Sequence, residues 1–143
     1  MVMCNFRRNI NHIMSTRGSS ELHAAFYNKA VEIALISKRI SYYLNVDLCA
    51  LKPNGHEDIN IYFSGDIVRQ SSSLAPHIKM INQEIFSEKR QHYAKIVKWL
   101  MRGLVKNCNR LENCNSNGNE FISILRKELR RLKKIQKNWL LTI

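Results

Sequence analysis

The sequence predicts an all-α domain, an up-and-down bundle of about four helices, on three observations. Only five Gly and two Pro, Pro53 and Pro76, punctuate the 143 residues, whereas an all-β domain needs turn residues roughly every eight to twelve positions. Apolar side chains recur three and four residues apart through most of the chain, which is the period of one face of a helix. The one alternating stretch, Ile59, Ile61 and Phe63, finds no second convincing strand to pair with, and a lone strand would leave its backbone groups unsatisfied.

Residues 1–18 carry Arg7, Arg8 and Arg17 and no acid, and read as a basic N-terminal arm that need not be ordered. The Arg content faintly resembles an organelle transit peptide, and Met14 offers an alternative start that would leave residues 1–13 outside the product. Residues 19–143 then form a single helical domain, within the usual size of one core. Its first helix is expected to start at Ser19 and Ser20, hydroxyl residues that can accept from first-turn N–H groups, with Glu21 favoured by the helix dipole. Leu22, Phe26, Ile33, Ile36, Ile40, Tyr43 and Leu44 give it one apolar face. It should end before Lys52-Pro53-Asn54-Gly55, where the proline fixes φ and the glycine is free to take positive φ.

Residues 57–73 fit a short helix through Ile59, Tyr62, Phe63, Ile67 and Val68, weakened by Gly65. Ser71-Ser72-Ser73 and Pro76 mark the next connection. Ile78, Ile81, Ile85, Tyr93, Ile96, Val97, Leu100, Leu104, Cys108 and Leu111 then sustain a helix of about ten turns, with Gly103 a place for a bend. Five Asn and Gly118 between 108 and 119 suit a loop, because Asn tolerates left-handed geometry. A last helix from about Glu120 to Leu141 turns Phe121, Ile124, Leu125, Leu129, Leu132, Ile135 and Trp139 inward. Short polar connections place such helices side by side and antiparallel, and no internal repeat points to a solenoid.

The formal net charge is +12, and it is unevenly spread. Residues 1–18 carry +3, 19–51 carry 0, 52–75 carry −1, 76–113 carry +5 and 114–143 carry +5. Arg126, Lys127, Arg130, Arg131, Lys133, Lys134 and Lys137 lie within twelve residues, opposed only by Glu128, on the side of the last helix away from Leu125, Leu129, Leu132 and Trp139. Lys89, Arg90, Lys95, Lys98, Arg102, Lys106 and Arg110 supply a second row, which an antiparallel hairpin would set beside the first. A positive face of this kind attracts polyanions and releases their condensed counterions. The expected function is therefore a small basic regulatory or accessory protein that binds RNA or DNA backbone. Arg126, Lys127, Arg130, Arg131, Lys133, Lys134 and Lys137 are the contacts, supported by Lys95, Lys98 and Arg102. The alternative is a helical interaction module, an adaptor, inhibitor or chaperone-like regulator, docking on an acidic protein; leftover apolar surface also leaves a homodimer open.

Other chemistry has little support. A helix-turn-helix turn, RNP-type aromatic strands and paired zinc-ligand spacings are absent, so backbone or shape is read ahead of base edges. Cys108 and Cys114 have five residues between them and no histidine close by, against the pairs two to four apart of a zinc site. His12, His23, His56, His77 and His92 are dispersed, Glu84 and Glu88 on one helix face serve local pairing with Lys89 or Arg90, and Gly55, Gly65 and Gly103 form no phosphate loop. No enzyme activity, metal or cofactor is expected. Trp99 and Trp139 sit among aliphatic residues and are read as core ahead of base-stacking platforms, and the apolar C-terminus from Trp139 to Ile143 as core ahead of a membrane contact. Lys38, Arg39, Arg102 and Lys106 interrupt the most apolar windows. With four scattered cysteines, this favours a soluble, cytoplasmic protein holding reduced thiols. Sixteen Ile, fifteen Asn and abundant Lys match the bias of AT-rich coding regions.

Overall fold

The computed structural model describes the backbone of residues 2–114 and 118–143 and the side chains of residues 18–114 and 118–143. Four helices, α1 (Val2–Leu48), α2 (Asn60–Gln83), α3 (Ser87–Leu111) and α4 (Asn119–Leu140), form an all-α bundle, and no strand occurs among the described residues. Contacts across each seam fix the directions. Ser41 meets Ser64, Phe63 meets Arg110, Gln70 meets Asn107, Asn109 meets Arg126, Phe26 meets Trp139, and Tyr43 meets Phe121. Where a seam has two such contacts, rising numbers on one helix meet falling numbers on the next, so neighbours run antiparallel. Around the bundle the order is α1, α2, α3, α4, with α1 diagonal to α3.

The core follows the predicted helical period. Phe26, Ile33, Ile40 and Leu44 of α1 pack with Ile67, Leu74, Ile78 and Ile81 of α2, Val97, Leu104 and Leu111 of α3, and Ile122, Leu125, Leu132 and Trp139 of α4. Trp139 stacks on Phe26 at a centroid distance of 4.8 Å. The turn after α1 also takes its expected form: the Gly55 N–H donates to the Lys52 carbonyl at 2.8 Å, and Gly55 adopts φ +80°.

Several boundaries differ from the sequence reading. The backbone of α1 takes in the segment read as an arm, so Ser19 and Ser20 lie inside a helix and not at its start. Ser71 to Ser73 and Pro76 do not separate two helices, because α2 runs through them. Pro76 removes the N–H that would reach the Ser72 carbonyl, but both residues are exposed and water can serve the carbonyl. The break falls instead at residues 84–86, where Glu84 and Phe86 are extended with ψ 129° and 122°. A continuous rod from Ile78 to Leu111 would leave two apolar faces uncovered, whereas folding back at 84–86 buries each against the other. Glu84 and Glu88 consequently sit on either side of a turn, not on one helix face. Helix α3 continues through Cys108 to Leu111, shortening the expected loop; Asn115 and Asn117 lie outside the described residues, as do the side chains of Arg7, Arg8, His12 and Arg17.

Side chains of α4 are also rotated relative to expectation. Phe121 and Ile124 are exposed and Ile122 is buried in their place, since α4 must face both α1 and α3. Gly103 does not interrupt α3: a Cβ there would lie 2.5 Å from the Gln70 amide nitrogen, so the glycine leaves room for Gln70 to accept from buried Asn107 at 3.0 Å.

Candidate nucleic-acid interface

Because a helix turns by about 100° per residue, the seven cations of α4 cannot all share one direction. Arg126, Arg130 and Lys133 face α3 and line the cleft between the two helices, and Lys137 follows Lys133 by one turn on the same row. Lys127 and Lys134 project outward, exposed. Arg131 donates to Glu128, one turn earlier on the same helix.

Helix α3 supplies the other wall. Lys98 and Arg102 line the cleft, and exposed Lys95 precedes them by one turn. The remaining cations of the expected second row go elsewhere. Arg110 lies over the Phe63 ring on the α2 side at 4.7 Å, and Lys89 lies over Phe86 at 5.5 Å. The ten predicted contacts therefore divide into five that line the cleft, Lys98, Arg102, Arg126, Arg130 and Lys133, and five that do not.

The cleft is a shallow depression of about 260 Å³ adjoining a second of about 330 Å³ toward the α3–α4 connection. Its floor is apolar, made of Met101, Val105 and Leu129, and Gln136 also lines it. The Gln136 amide nitrogen is buried with no hydrogen-bond partner among the described residues. The cleft exists because α3 and α4 touch least of the four neighbouring pairs. Sequence spacing gave no sign of this floor, which depends on how two helices meet.

Pairing within the fold reduces the free charge. Arg126 donates to Asn109 and to Glu112, the latter at 2.8 Å, so that it joins the end of α3 to the start of α4. Glu128, the single acid within the α4 cluster, is buried and accepts from Lys29 of α1 at 2.9 Å as well as from Arg131. The Lys29 hydrogen bond, ahead of the Lys29 and Arg131 charges and against burial, holds the Glu128 carboxyl below its usual range. By contrast Lys98, Arg102, Arg130 and Lys133 have no carboxylate within ion-pair distance among the described residues.

Trp99 departs from its assignment to the core. It is 69% exposed, lying on the outer side of α3, where helical spacing sets Lys95 and Arg102 beside it. The other tryptophan, Trp139, is buried as expected. The cysteines serve no shared site: Cys108 is buried, and burial pushes its thiol up to about 12, while Cys114 donates to Asn119 at 3.0 Å. No group of three or more His, Cys, Asp or Glu is placed to hold a metal among the described residues, and no helix among them is long and apolar enough to cross a membrane. In comparison with known proteins, no family model, no curated protein and no solved structure matches this chain.

Proposed function

We propose that the chain is a small basic regulatory or accessory protein of the cytoplasm that binds nucleic acid by its phosphate backbone in the α3–α4 cleft. The observation that carries this reading is the convergence of Lys98, Arg102, Arg130 and Lys133, from two helices, on one cleft without carboxylate partners among the described residues. Four cations free to release counterions give a log–log salt slope of about −3.6 on duplex and about −2.8 on single strands. Lys95, Lys127, Lys134 and Lys137 broaden the positive field, while Arg126 and Arg131 spend their charge within the fold. Exposed Trp99 adds a surface on which an unpaired base can stack between Lys95 and Arg102, which favours single-stranded or looped RNA over closed duplex.

The test is fluorescence anisotropy with single-stranded RNA, duplex RNA and duplex DNA at several salt concentrations. Reversing Arg102, Arg130 and Lys133 to Glu should abolish binding while circular dichroism stays unchanged, because all three side chains are exposed. Neutralising Lys98 or Lys133 singly should reduce the salt slope by about one. Trp99→Ala should weaken single-strand binding about tenfold or more and leave duplex binding nearly unaltered. Affinity that survives the triple reversal would remove the cleft from the mechanism.

The apolar floor favours a second reading, a helical interaction module whose cleft takes an acidic segment of a partner protein. An apolar side chain of such a segment would cover Met101 and Val105 while its carboxylates meet the cationic rim. Retention on heparin with no shift of RNA or DNA, together with co-purification of one acidic protein, would select this reading.

A further inference from the structure

Helix α1 is apolar on two sides. Its inner side, through Phe26, Ile33, Ile40 and Leu44, enters the core. Its outer side presents Val31, Leu35 (55% exposed), Tyr42 (69%) and Val46 (58%) to solvent. The outer apolar surface continues onto α4. Tyr43 stacks on Phe121 at 5.5 Å, and both rings, with Ile124, border a cleft between α1 and α4 of about 280 Å³. A helix apolar on both sides is one that is covered on both sides, and the fold covers only one.

We propose that this α1–α4 face is the interface of a two-fold dimer, with a second copy of the chain as its occupant. The exposed parts of Val31, Leu35, Tyr42, Tyr43, Val46, Phe121 and Ile124 come to on the order of 700 Å², larger than the apolar patches most monomers expose. That is close to the roughly 800 Å² per partner of a stable interface. Charge also selects this side for self-association. The outer part of α1 carries Lys38 and Arg39, whereas Lys98, Arg102, Arg126, Arg130 and Lys133 crowd the α3–α4 cleft, so two copies meet on α1 with less repulsion than they would at the cleft. Since α3 is diagonal to α1, joining two copies through α1 leaves both cationic clefts accessible.

The spacing specifies how the copies meet. Leu35, Arg39, Tyr42 and Val46 follow one another by four, three and four residues, the seam of a helix that packs along another helix. In an antiparallel two-fold arrangement centred between Ile40 and Ser41, Leu35 meets the partner's Val46, and Arg39 lies on the ring of the partner's Tyr42 as a cation–π pair. Such an isologous contact uses the same residues twice.

Sedimentation and light scattering of the full chain test the proposal. At tens of micromolar the parent should show twice the mass of one chain, and the dimer should persist in high salt because its contact is mainly apolar. Leu35→Glu/Tyr42→Glu should raise the dissociation constant about a hundredfold, with helicity retained since both side chains are exposed. Val46→Lys should weaken the dimer as a milder variant, and Arg130→Glu/Lys133→Glu should leave it intact. A parent of single-chain mass in both salts would overturn the proposal, as would a Leu35→Glu/Tyr42→Glu dimer as tight as the parent. A monomeric parent that floats with vesicles of phosphatidylcholine and phosphatidylserine would overturn it in favour of a lipid surface.

Discussion

Glu128→Gln is the most direct probe of how α4 is held to α1. The substitution keeps shape and an acceptor but removes the charge opposite Lys29, whose side chain is only 20% exposed beside a Glu128 at 9%. An exposed ion pair contributes about 0–1 kcal/mol, and stripping one partner from a fully buried pair costs about 3–5 kcal/mol. This pair, buried at one end and partly open at the other, should fall between, at about 2 kcal/mol. For a chain of this length that lowers the thermal midpoint by about 7 °C. Urea unfolding followed by circular dichroism measures the loss, and a cycle with Lys29→Met isolates the pair. In that cycle Lys29→Met/Glu128→Leu should recover much of the stability, because no charge is then left uncompensated.

The pH dependence provides an independent check. Glu128 titrates below its usual range in the fold, chiefly through the Lys29 hydrogen bond. The native state therefore binds fewer protons there, and this contribution is present above the unfolded carboxyl value of about 4.3 and lost as pH falls through the folded one. Lys29 is shifted upward, first by its hydrogen bond to Glu32 and then by that to Glu128. Its contribution is full below the unfolded lysine value and lost as pH rises through the folded one. Parent and Glu128→Gln should thus differ most near neutrality and converge in acid. Stabilities within about 0.3 kcal/mol of each other at neutral pH, well below the usual effect of breaking such a pair, would refute the assignment.

Three further outcomes follow from the packing. Trp139→Ala removes a buried indole stacked on Phe26 and should cost about 3–5 kcal/mol by urea unfolding. Pro76→Ala, at an exposed position inside α2, should stabilise by about 2 kcal/mol, the gain in helix propensity less the lost stiffness of the unfolded chain; an unchanged or lower urea midpoint would contradict this. In thiol labelling at mildly alkaline pH, mapped by peptide mass, exposed Cys49 should react while Cys108, buried and raised to about 12, stays silent until the protein unfolds.

What the sequence made legible was local. Periodicity located the inward residues Phe26, Ile33, Ile40, Leu125, Leu132 and Trp139, because a single stripe at helical spacing has one way to be buried. The helix ends at 84–86 were not legible, since Ile78, Ile81 and Ile85 continue the local pattern and only burial against a returning helix makes the chain reverse. Pro76 misled for the converse reason: its local penalty is outweighed by burial of Ile67, Leu74, Ile78 and Ile81 on either side of it. Charge counting pointed to α3 and α4, but not to which cations meet. That depends on the register that brings Arg126 to Glu112 and Glu128 to Lys29. Trp99 was misassigned because its aliphatic neighbours in sequence turn inward while it turns out.

The seam between α3 and α4 is the thinnest of the four. Helix α4 is fastened to α1 by the Lys29–Glu128 bridge and two aromatic stacks, and α3 is fastened to α2 by Gln70–Asn107 and by Arg110 over Phe63. The two walls of the cleft are thus held from different sides, and Arg126 with Asn109 and Glu112 ties them together at one end. A ligand gripping both walls would act as a splint, so that occupancy would register as slower amide exchange and a higher melting point even where no side chain of the core is touched.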